Sequence, residues 1–418
     1  MLHKILISFC LFLSLFACNS TTKKNVSTSK TSNKHEKQLD TLANRYLELG
    51  RFSGTILISQ GNSVIFHKHY GMADYSQNKS FTDHTPFKIG DLSEIFVSEI
   101  IKDLAKQNVL ELSQPINTYI PQIKHNFTVE EALNHRLKFQ NIAQIKAESP
   151  KVEYSTIKYL NLSEENKKIT PSSLDYNILG ILIEEVTNKK FQAVLEEYTK
   201  KWALENTFFE NEDTTQLAKG YLFHNYRGNG LELEKSPSYT NHIAFSSTGI
   251  KSTAKDLMNF TKKHIKGNFN RNGYLMEDGF SYALRKNQEK DRIIIILSNR
   301  RHPVADEISK SIEHILDKTS YQLPILRKEI QVEANTLKKY AGVYALNQNV
   351  NLNFVVENDS LFVLMGNRIH LKAQANNQFY MPNNDAAIRF VTKNESDSVK
   401  KAILLNGFLE GDTILRVK

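Results

Sequence analysis

The chain has 418 residues and a formal charge of +9. This length is sufficient for a large core and a second domain. The basic excess does not indicate nucleic-acid binding, because the basic residues form no stripe with interleaved aromatic residues. Solubility and a loose attraction to anionic lipid or cell-wall polymer explain the charge better.

The first residues are typical of a secretory signal. Lys4 precedes an apolar run from Ile5 to Ala17, which is too short to span a bilayer comfortably. Residues 15–18 read Leu-Phe-Ala-Cys and fit a bacterial lipobox, in which residues 1–17 are removed and Cys18 is acylated. An ordinary signal peptide that contains Cys18 is the alternative. The sequence therefore predicts a protein of the bacterial cell envelope, lipid-anchored on the periplasmic or cell-surface side.

The segment after the signal predicts a flexible tether. Residues 18–38 are mostly Ser, Thr, Asn and Lys, a composition typical of solvated linkers. The other cysteine, Cys10, lies in the predicted signal, so we expect no disulfide and no thiolate site in the mature chain. No later apolar run is long enough for a membrane-spanning helix.

The middle of the chain predicts an α+β fold. Residues 55–68 form a candidate β-hairpin around Gly61. Apolar residues recur at helical spacing from Asp91 to about Asn108. The unbroken apolar run from Ile293 to Leu297 predicts a strand buried on both faces. Further helices are predicted at 174–188, at 191–204, after an N-cap at Ser252 or Thr253, and at 305–317.

The hydrophobic pattern of the sequence changes near residue 330. Short alternating segments separated by turn residues predict a small antiparallel barrel or sandwich. The predicted domains are therefore 39–328 and 329–418. The predicted strands lie at 352–356, 361–365, 370–373, 379–382, 387–392, 402–405 and 413–417.

Several motifs, taken in order, resemble the beta-lactamase-related serine hydrolases, especially class C beta-lactamases and low-molecular-weight penicillin-binding proteins. The resemblance covers most of residues 52–317 and implies a beta-lactamase/transpeptidase-like domain, followed by a small C-terminal antiparallel β-barrel. It is carried by Ser53-Gly54-Thr55-Ile56-Leu57, Tyr70-Gly71-Met72-Ala73-Asp74, Pro86-Phe87-Lys88-Ile89-Gly90, Leu112-Ser113-Gln114-Pro115-Ile116, Tyr176-Asn177-Ile178-Leu179-Gly180, Ser252-Thr253-Ala254-Lys255-Asp256 and Tyr340-Ala341-Gly342-Val343-Tyr344.

The resemblance also implies three catalytic motifs, and the chain departs from each of them. Asp91 stands at the position of the nucleophilic Ser, and Glu94 stands at that of the Lys base. Pro171 and Ser173 occupy the positions of the Tyr-x-Asn motif. Counting back from the Gly279-Phe280 turn places Gly273 at the position of the His or Lys of the third motif. All three motifs are lost, which predicts that the domain does not hydrolyse.

Asp91 and Glu94 admit other interpretations. Asp-Leu-Ser-Glu at a helix start has the form of a capping box, with Asp91 as N-cap and Glu94 at N3. A metal site or an acid–base pair of carboxylates is a weaker alternative. Ser93 should face away from the cleft, because two residues correspond to about 200° on a helix.

No cofactor and no metal are predicted. His135 is interpreted as a structural remnant of a family motif. His67, His125, His264 and His370 show no i, i+4 pairing that would suggest metal ligation.

The predicted function is binding of a peptide, a peptidoglycan-like fragment or an envelope partner. The candidate cleft-lining residues are Asp91, Glu94, Gly279 and Phe280. An active beta-lactamase, D-Ala-D-Ala carboxypeptidase or esterase-like enzyme with a rearranged site is the first alternative. A structural lipoprotein without a ligand is the second.

Overall fold

A computed structural model describes most of the chain, and two structural parts follow one another along it. The described residues are 27–137, 174–209, 216–223, 233–235, 245–275, 278–300, 304–365, 367–381, 386–391, 399–406 and 411–418. The predicted lipobox with Cys18, and the predicted motif positions Pro171 and Ser173, lie outside these residues.

A five-stranded antiparallel sheet organises the first part, with strand order β2-β1-β11-β10-β9. The predicted hairpin is confirmed, as β1 and β2 pair around a tight turn at Gly61 and Asn62. The predicted strand at 293–297 is also confirmed, and every residue of β11 is buried. The strand bounds are β1 (Gly54–Gln60), β2 (Ser63–Tyr70), β9 (Phe269–Leu275), β10 (Phe280–Asn287) and β11 (Arg292–Ser298).

Alternate residues of β11 enter two separate cores, as the two-residue period of a strand requires. Ile293, Ile295 and Leu297 belong to the larger core, which lies between the sheet and the central helices. Ile294 and Ile296 face the smaller core, which the terminal helices cover. This explains why the strand shows no polar alternation.

The first helix, α1 (Ser27–Glu48), corrects the predicted tether. The helix begins at Ser27, so residues 27–38 are helical where the composition predicted a flexible linker. Its apolar residues Leu39, Leu42, Ala43 and Tyr46 have i, i+3, i+4, i+7 spacing and are buried in the smaller core. Packing of this stripe stabilises a helix that intrinsic propensity alone would leave marginal.

The other helices follow the predictions closely. Thr253 is the N-cap of α6, and its side chain accepts a hydrogen bond from the Asp256 backbone N–H (3.2 Å). The helices of the first part after α1 are α2 (Ser93–Lys106), α3 (Val129–Leu133), α4 (Leu174–Thr187), α5 (Phe191–Trp202), α6 (Ala254–His264) and α7 (Val304–Leu316).

Short two-stranded ladders connect these elements. They pair β3 (Met72–Asp74) with β4 (Lys79–Ser80), β5 (Phe87–Lys88) with β8 (Lys251–Ser252), and β6 (Tyr221–Phe223) with β7 (Leu233–Lys235). The β5–β8 pair joins Phe87 to Ser252 and fixes the chain just before α2.

The second part is a closed eight-stranded antiparallel barrel, which confirms the predicted appendage. Helix α8 (Ala334–Tyr340) precedes it, and Tyr340 packs into its aromatic core. The strands are β12 (Gly342–Ala345), β13 (Asn351–Glu357), β14 (Ser360–Met365), β15 (Asn367–Ala375), β16 (Gln378–Tyr380), β17 (Ala387–Val391), β18 (Lys401–Leu405) and β19 (Thr413–Arg416).

Among the described residues, none of the helices combines the length and the apolar character that a bilayer crossing requires.

Candidate functional site

The head of α2, residues 90–94, is where the family motif would place its nucleophile. The chain leaves β5 and makes a 3₁₀ turn over Gly90–Leu92, and α2 then begins at Ser93. Gly90 adopts φ +56°, a left-handed conformation that favours glycine. A Cβ at Gly90 would also collide with the ring of Tyr282. The turn therefore depends on a residue without a side chain.

The predicted capping box at Asp91 and Glu94 is wrong. The N-cap of α2 is Leu92, and no side chain caps the helix. The 3₁₀ turn places Asp91 inside the helical segment, and its carboxylate accepts a hydrogen bond from Tyr282 instead of from the first backbone N–H groups. A real capping box occurs at α3, where the side chains of Thr128 and Glu131 each accept the other's backbone N–H.

The Asp91 carboxylate is paired with Tyr282 instead. The Tyr282 hydroxyl donates to Asp91 Oδ1 (2.7 Å), and the Asp91 backbone N–H donates to the same hydroxyl oxygen (3.2 Å). Burial raises the pKa of Asp91 above its usual range, although the Tyr282 hydrogen bond and the Arg271 charge oppose the shift. Burial and the Asp91 charge also raise the pKa of Tyr282, so the phenol stays a proton donor.

Gly273, at the predicted third-motif position, makes room for this tyrosine. Gly273 of β9 lies directly opposite Tyr282 of β10. A Cβ added to Gly273 would lie 2.6 Å from the Tyr282 hydroxyl oxygen. The Tyr282 side chain therefore fills space that a larger residue at 273 would need.

Glu94 is held by two basic side chains. It is only 3% exposed, and its Oε2 accepts from Arg271 Nη1 (2.6 Å) and contacts His135 Nε2 (3.1 Å). Arg271 Nη1 also donates to the Asp91 backbone oxygen (2.8 Å). A buried carboxylate is tolerated when paired and hydrogen-bonded in this way.

His135 links Glu94 to a third carboxylate. His135 Nδ1 lies 3.7 Å from Oδ2 of Asp175, which is fully buried. Burial raises the pKa of Asp175 to about 8, against the opposing effect of His135. The predicted structural remnant is thus part of a polar network. We call it the α2-head network, and it consists of Asp91, Glu94, His135, Asp175, Arg271 and Tyr282.

Two further hydroxyl groups lie beside this network. The Tyr176 hydroxyl donates to the Leu133 carbonyl oxygen (3.0 Å) and lies 2.8 Å from Ser98 Oγ. Because the Tyr176 proton goes to Leu133, Ser98 donates its own proton to Tyr176. Burial raises the pKa of Tyr176 to about 12, so this phenol is not a phenolate that could activate Ser98.

Ser93 faces away from this region, as predicted. Its side chain is fully buried, and its Oγ accepts the backbone N–H of Ile250 (3.2 Å). It holds the β8 region against α2 and offers no accessible hydroxyl.

An open cleft of about 730 Å³ begins at Glu94 and runs along α2. Its rim carries the exposed cations Lys102, Lys106 and Lys266, and Arg271 lies at its inner end. Apolar lining comes from Ile95, Ala105, Leu112, Ile265 and Phe269, and polar lining from Glu94, Ser98, Tyr176 and His264.

The cleft includes one of the four predicted cleft-lining residues, Glu94. Asp91 is absent from the described lining of this cleft, and its carboxylate is hydrogen-bonded to Tyr282. Gly279 and Phe280 are buried, and Phe280 packs against Phe87 in the larger core (ring centroids 6.4 Å apart). Gly279 takes φ +76° in the turn before β10, so these two residues shape the sheet instead of the cleft.

Sequence reasoning missed Arg271 and Tyr282. Arg271 lies two residues before Gly273, and therefore on the same face of β9. Tyr282 is the cross-strand partner of Gly273. The neighbours of the glycine at the third-motif position were the signal that could have revealed both.

The comparisons with known proteins show the family of this chain. The sequence profile of the beta-lactamase family matches residues 35–285. The chain belongs to the beta-lactamase family. This family member is 20% identical over 401 residues to penicillin-binding protein 4* of Bacillus subtilis. The aligned region covers 80% of the chain and 89% of that protein. Teichoic acid D-alanine hydrolase of Staphylococcus aureus is 25% identical over 200 residues, which is 43% of the chain and 47% of that protein.

Solved structures show the same fold. FmtA of Staphylococcus aureus superposes with a TM-score of 0.58 at 18% identity, covering 74% of this chain and 96% of that one. A beta-lactamase/D-alanine carboxypeptidase from Pseudomonas syringae gives 0.55 at 16% identity, covering 69% and 100%. The family resemblance and the beta-lactamase/transpeptidase-like fold predicted from the motifs are therefore confirmed.

Proposed function

We propose that this beta-lactamase family member is a pseudoenzyme that binds an envelope ligand and does not hydrolyse it. The observation that carries the proposal is the occupation of the nucleophile and base positions by Asp91 and Glu94, whose carboxylates are engaged by Tyr282 and Arg271. Acyl transfer by this family needs a hydroxyl nucleophile beside a base. A carboxylate that accepts from a tyrosine supplies neither.

The cleft supports an anionic, partly apolar ligand. Lys102, Lys106 and Lys266 are exposed at its rim, where they attract anions over a distance of about 10 Å at ordinary ionic strength. The apolar residues between them provide contact area for a chain. The relatives' names point to penicillin and to D-alanylated teichoic acid as ligands of those proteins. We therefore propose a cell-wall polymer or peptide fragment with phosphate or carboxylate groups.

We also propose that Cys18 anchors the protein to the envelope by a lipid. The support is the lipobox at residues 15–18 and the envelope-related names of the relatives. Metabolic labelling with a radioactive fatty acid tests this directly. Label should enter the wild-type protein and be absent from Cys18→Ser, and equal labelling of the two would refute the anchor.

Inactivity is tested by two assays on the purified protein. Acylation by a fluorescent penicillin and hydrolysis of D-alanyl esters should both stay at the level of the denatured protein. Turnover well above that control would refute the pseudoenzyme.

The proposed ligand binding is tested by co-sedimentation of the protein with purified wall polymer at increasing salt. Lys102→Glu with Lys266→Glu should weaken binding, whereas Lys200→Glu, exposed on α5, should not.

A rearranged hydrolase remains the second candidate because of Ser98. This hydroxyl lines the cleft beside Tyr176. The high pKa of Tyr176 argues against activation of Ser98, but Ser98→Ala provides a direct check. If the protein does turn over an ester, and Ser98→Ala abolishes that turnover without loss of fold, Ser98 is the nucleophile.

A further inference from the structure

A cluster of metal-ligating side chains lies away from the cleft, on strand β2. Residues two apart on a strand face the same side, so His67 and His69 point together, while Phe66 and Tyr70 enter the smaller core on the opposite face. Asp83, in the loop between β4 and β5, completes the cluster. An i, i+4 pair of histidines is the helical pattern of metal ligation, whereas His67 and His69 have the i, i+2 spacing of a strand.

The distances suit one small cation. Asp83 Oδ1 lies 3.0 Å from His69 Nε2 and 3.5 Å from His67 Nδ1, and all three ligand atoms lie within 4.8 Å of one another. Tetrahedral ligation at 2.0–2.1 Å puts ligand atoms about 3.3 Å apart. Small side-chain rotations would therefore bring all three atoms to bonding distance.

His69 is held in an orientation that favours ligation. Its Nδ1 forms a hydrogen bond with Thr55 Oγ1 (2.8 Å), and its ring stacks on Phe81 (centroids 6.3 Å apart). When Nδ1 donates to Thr55, the lone pair of Nε2 is directed at Asp83. Metal-ligating histidines are typically oriented by such a partner on the other ring nitrogen.

We propose that His67, His69 and Asp83 form a binding site for Zn²⁺ or a similar late first-row divalent ion. Two imidazoles and one carboxylate match the ligand preference of these metals better than that of Mg²⁺ or Ca²⁺, which prefer oxygen ligands. Three protein ligands leave a fourth position for water. The positive charge of Lys255 acts on both His67 and Asp83 and opposes the binding of a cation.

The proposed ion would connect the edge strand of the sheet to the loop that leads to the head of α2. β2 is at one edge of the five-stranded sheet, and Asp83 lies in a turn closed by a hydrogen bond from the Thr82 N–H to Thr85 Oγ1 (2.9 Å). Bound metal would thus stabilise the approach to β5. This site is independent of the cleft and of the proposed inactivity.

The test is calorimetric titration of the purified chain with ZnCl₂, alongside the thermal midpoint with and without the metal. We expect one site of micromolar affinity and a higher midpoint with Zn²⁺. His67→Gln, His69→Gln and Asp83→Asn should each raise the dissociation constant at least about tenfold, and Thr55→Ala should raise it by a similar factor through loss of the orienting hydrogen bond.

The matched control is His84→Gln. His84 is exposed and follows Asp83 in the same loop, but its ring contacts Asn206 instead (3.4 Å). This variant should bind Zn²⁺ like the wild type. Circular dichroism verifies that each variant is folded. Absence of a micromolar site in the wild type, or unchanged binding by folded His67→Gln and His69→Gln, would overturn the proposal.

Discussion

The α2-head network and the C-terminal barrel are stabilised by opposite means. The barrel core is aromatic, and Phe390 packs against Tyr340, Phe354, Tyr344 and Phe379 with ring centroids 4.5 to 5.8 Å apart. The head of α2 is held by ion pairs and hydrogen bonds between polar side chains, which converge on the buried Glu94 and the half-buried Asp91. An apolar core tolerates substitutions that conserve its volume, whereas removing one partner of a buried ion pair leaves an uncompensated charge. Substitutions should therefore act very differently in the two regions.

The largest effect should come from Glu94→Ala. The change leaves Arg271 and His135 without their shared acceptor, and breaking a buried ion pair costs about 3–5 kcal/mol. The free energy of unfolding is measured in urea by the fluorescence of Trp202, the single tryptophan, which is buried in the larger core. The control is Glu197→Ala on α5, in the same part of the chain, because its partner Lys189 is 49% exposed. Loss of this exposed ion pair should cost about 0–1 kcal/mol. Equal, small losses would contradict the proposed role of the network.

Phe390→Ala should lower the stability of the barrel by a comparable amount. Phe390 is fully buried, and truncation of a core phenylalanine costs about 3–5 kcal/mol. Circular dichroism should record an earlier transition of the β-rich part while the Trp202 transition changes little. The neighbouring exposed Arg389→Ala serves as the control. If the Trp202 transition shifts equally, the predicted boundary near residue 330 does not separate two folding units.

Asp175→Asn should stabilise the protein, and increasingly so at higher pH. Burial raises the pKa of Asp175 to about 8, well above the usual range of an aspartate, so the folded protein holds a proton that the unfolded chain has released. Between the pKa of the unfolded chain and that of the folded protein, the unfolded state binds fewer protons, and stability falls as pH rises. Asn removes this dependence, with a gain on the order of 1 kcal/mol or more.

The measurement is the free energy of unfolding of both proteins at about pH 5 and about pH 8. The difference between Asp175→Asn and wild type should grow with pH. A difference that shrinks with pH would mean that the folded-state pKa of Asp175 is lowered, and that His135 dominates over burial.

A smaller loss of stability is expected for Tyr282→Phe. It removes one hydrogen bond to Asp91 at nearly constant volume, which costs about 1 kcal/mol. Because that hydrogen bond holds the pKa of Asp91 down, the pKa should rise further in the variant, as NMR titration of the carboxyl carbon would detect. Tyr274→Phe, 46% exposed on β9, should change neither quantity.

The sequence predicted the barrel and most helices because local patterns determine them. The β-strand alternation after residue 342 and the helical spacing of Leu92, Ile95, Phe96 and Ile100 are visible without knowledge of the fold. The beginning of α1 at Ser27 could not be predicted, because residues 27–38 are polar and the stabilising contact is made by the apolar stripe that follows.

The α2-head network could not be predicted from local sequence patterns. Asp91 and Tyr282 are 191 residues apart, and Glu94 and Arg271 are 177 apart. Their contact depends on the register of β9 with β10, which a one-residue slip would destroy. The capping-box prediction failed for the same reason, since a 3₁₀ turn and distant partners were preferred over local caps.

We propose that Asp91 and Glu94 stabilise the head of α2 and have no catalytic role. One experiment combines both readouts, with D-alanyl ester turnover and Trp202-monitored stability measured for wild type, Asp91→Ala and Glu94→Ala. We expect turnover at the level of denatured protein in all three, together with lower stability in the variants and the larger loss in Glu94→Ala. Wild-type turnover that disappears in Asp91→Ala while stability is retained would contradict it.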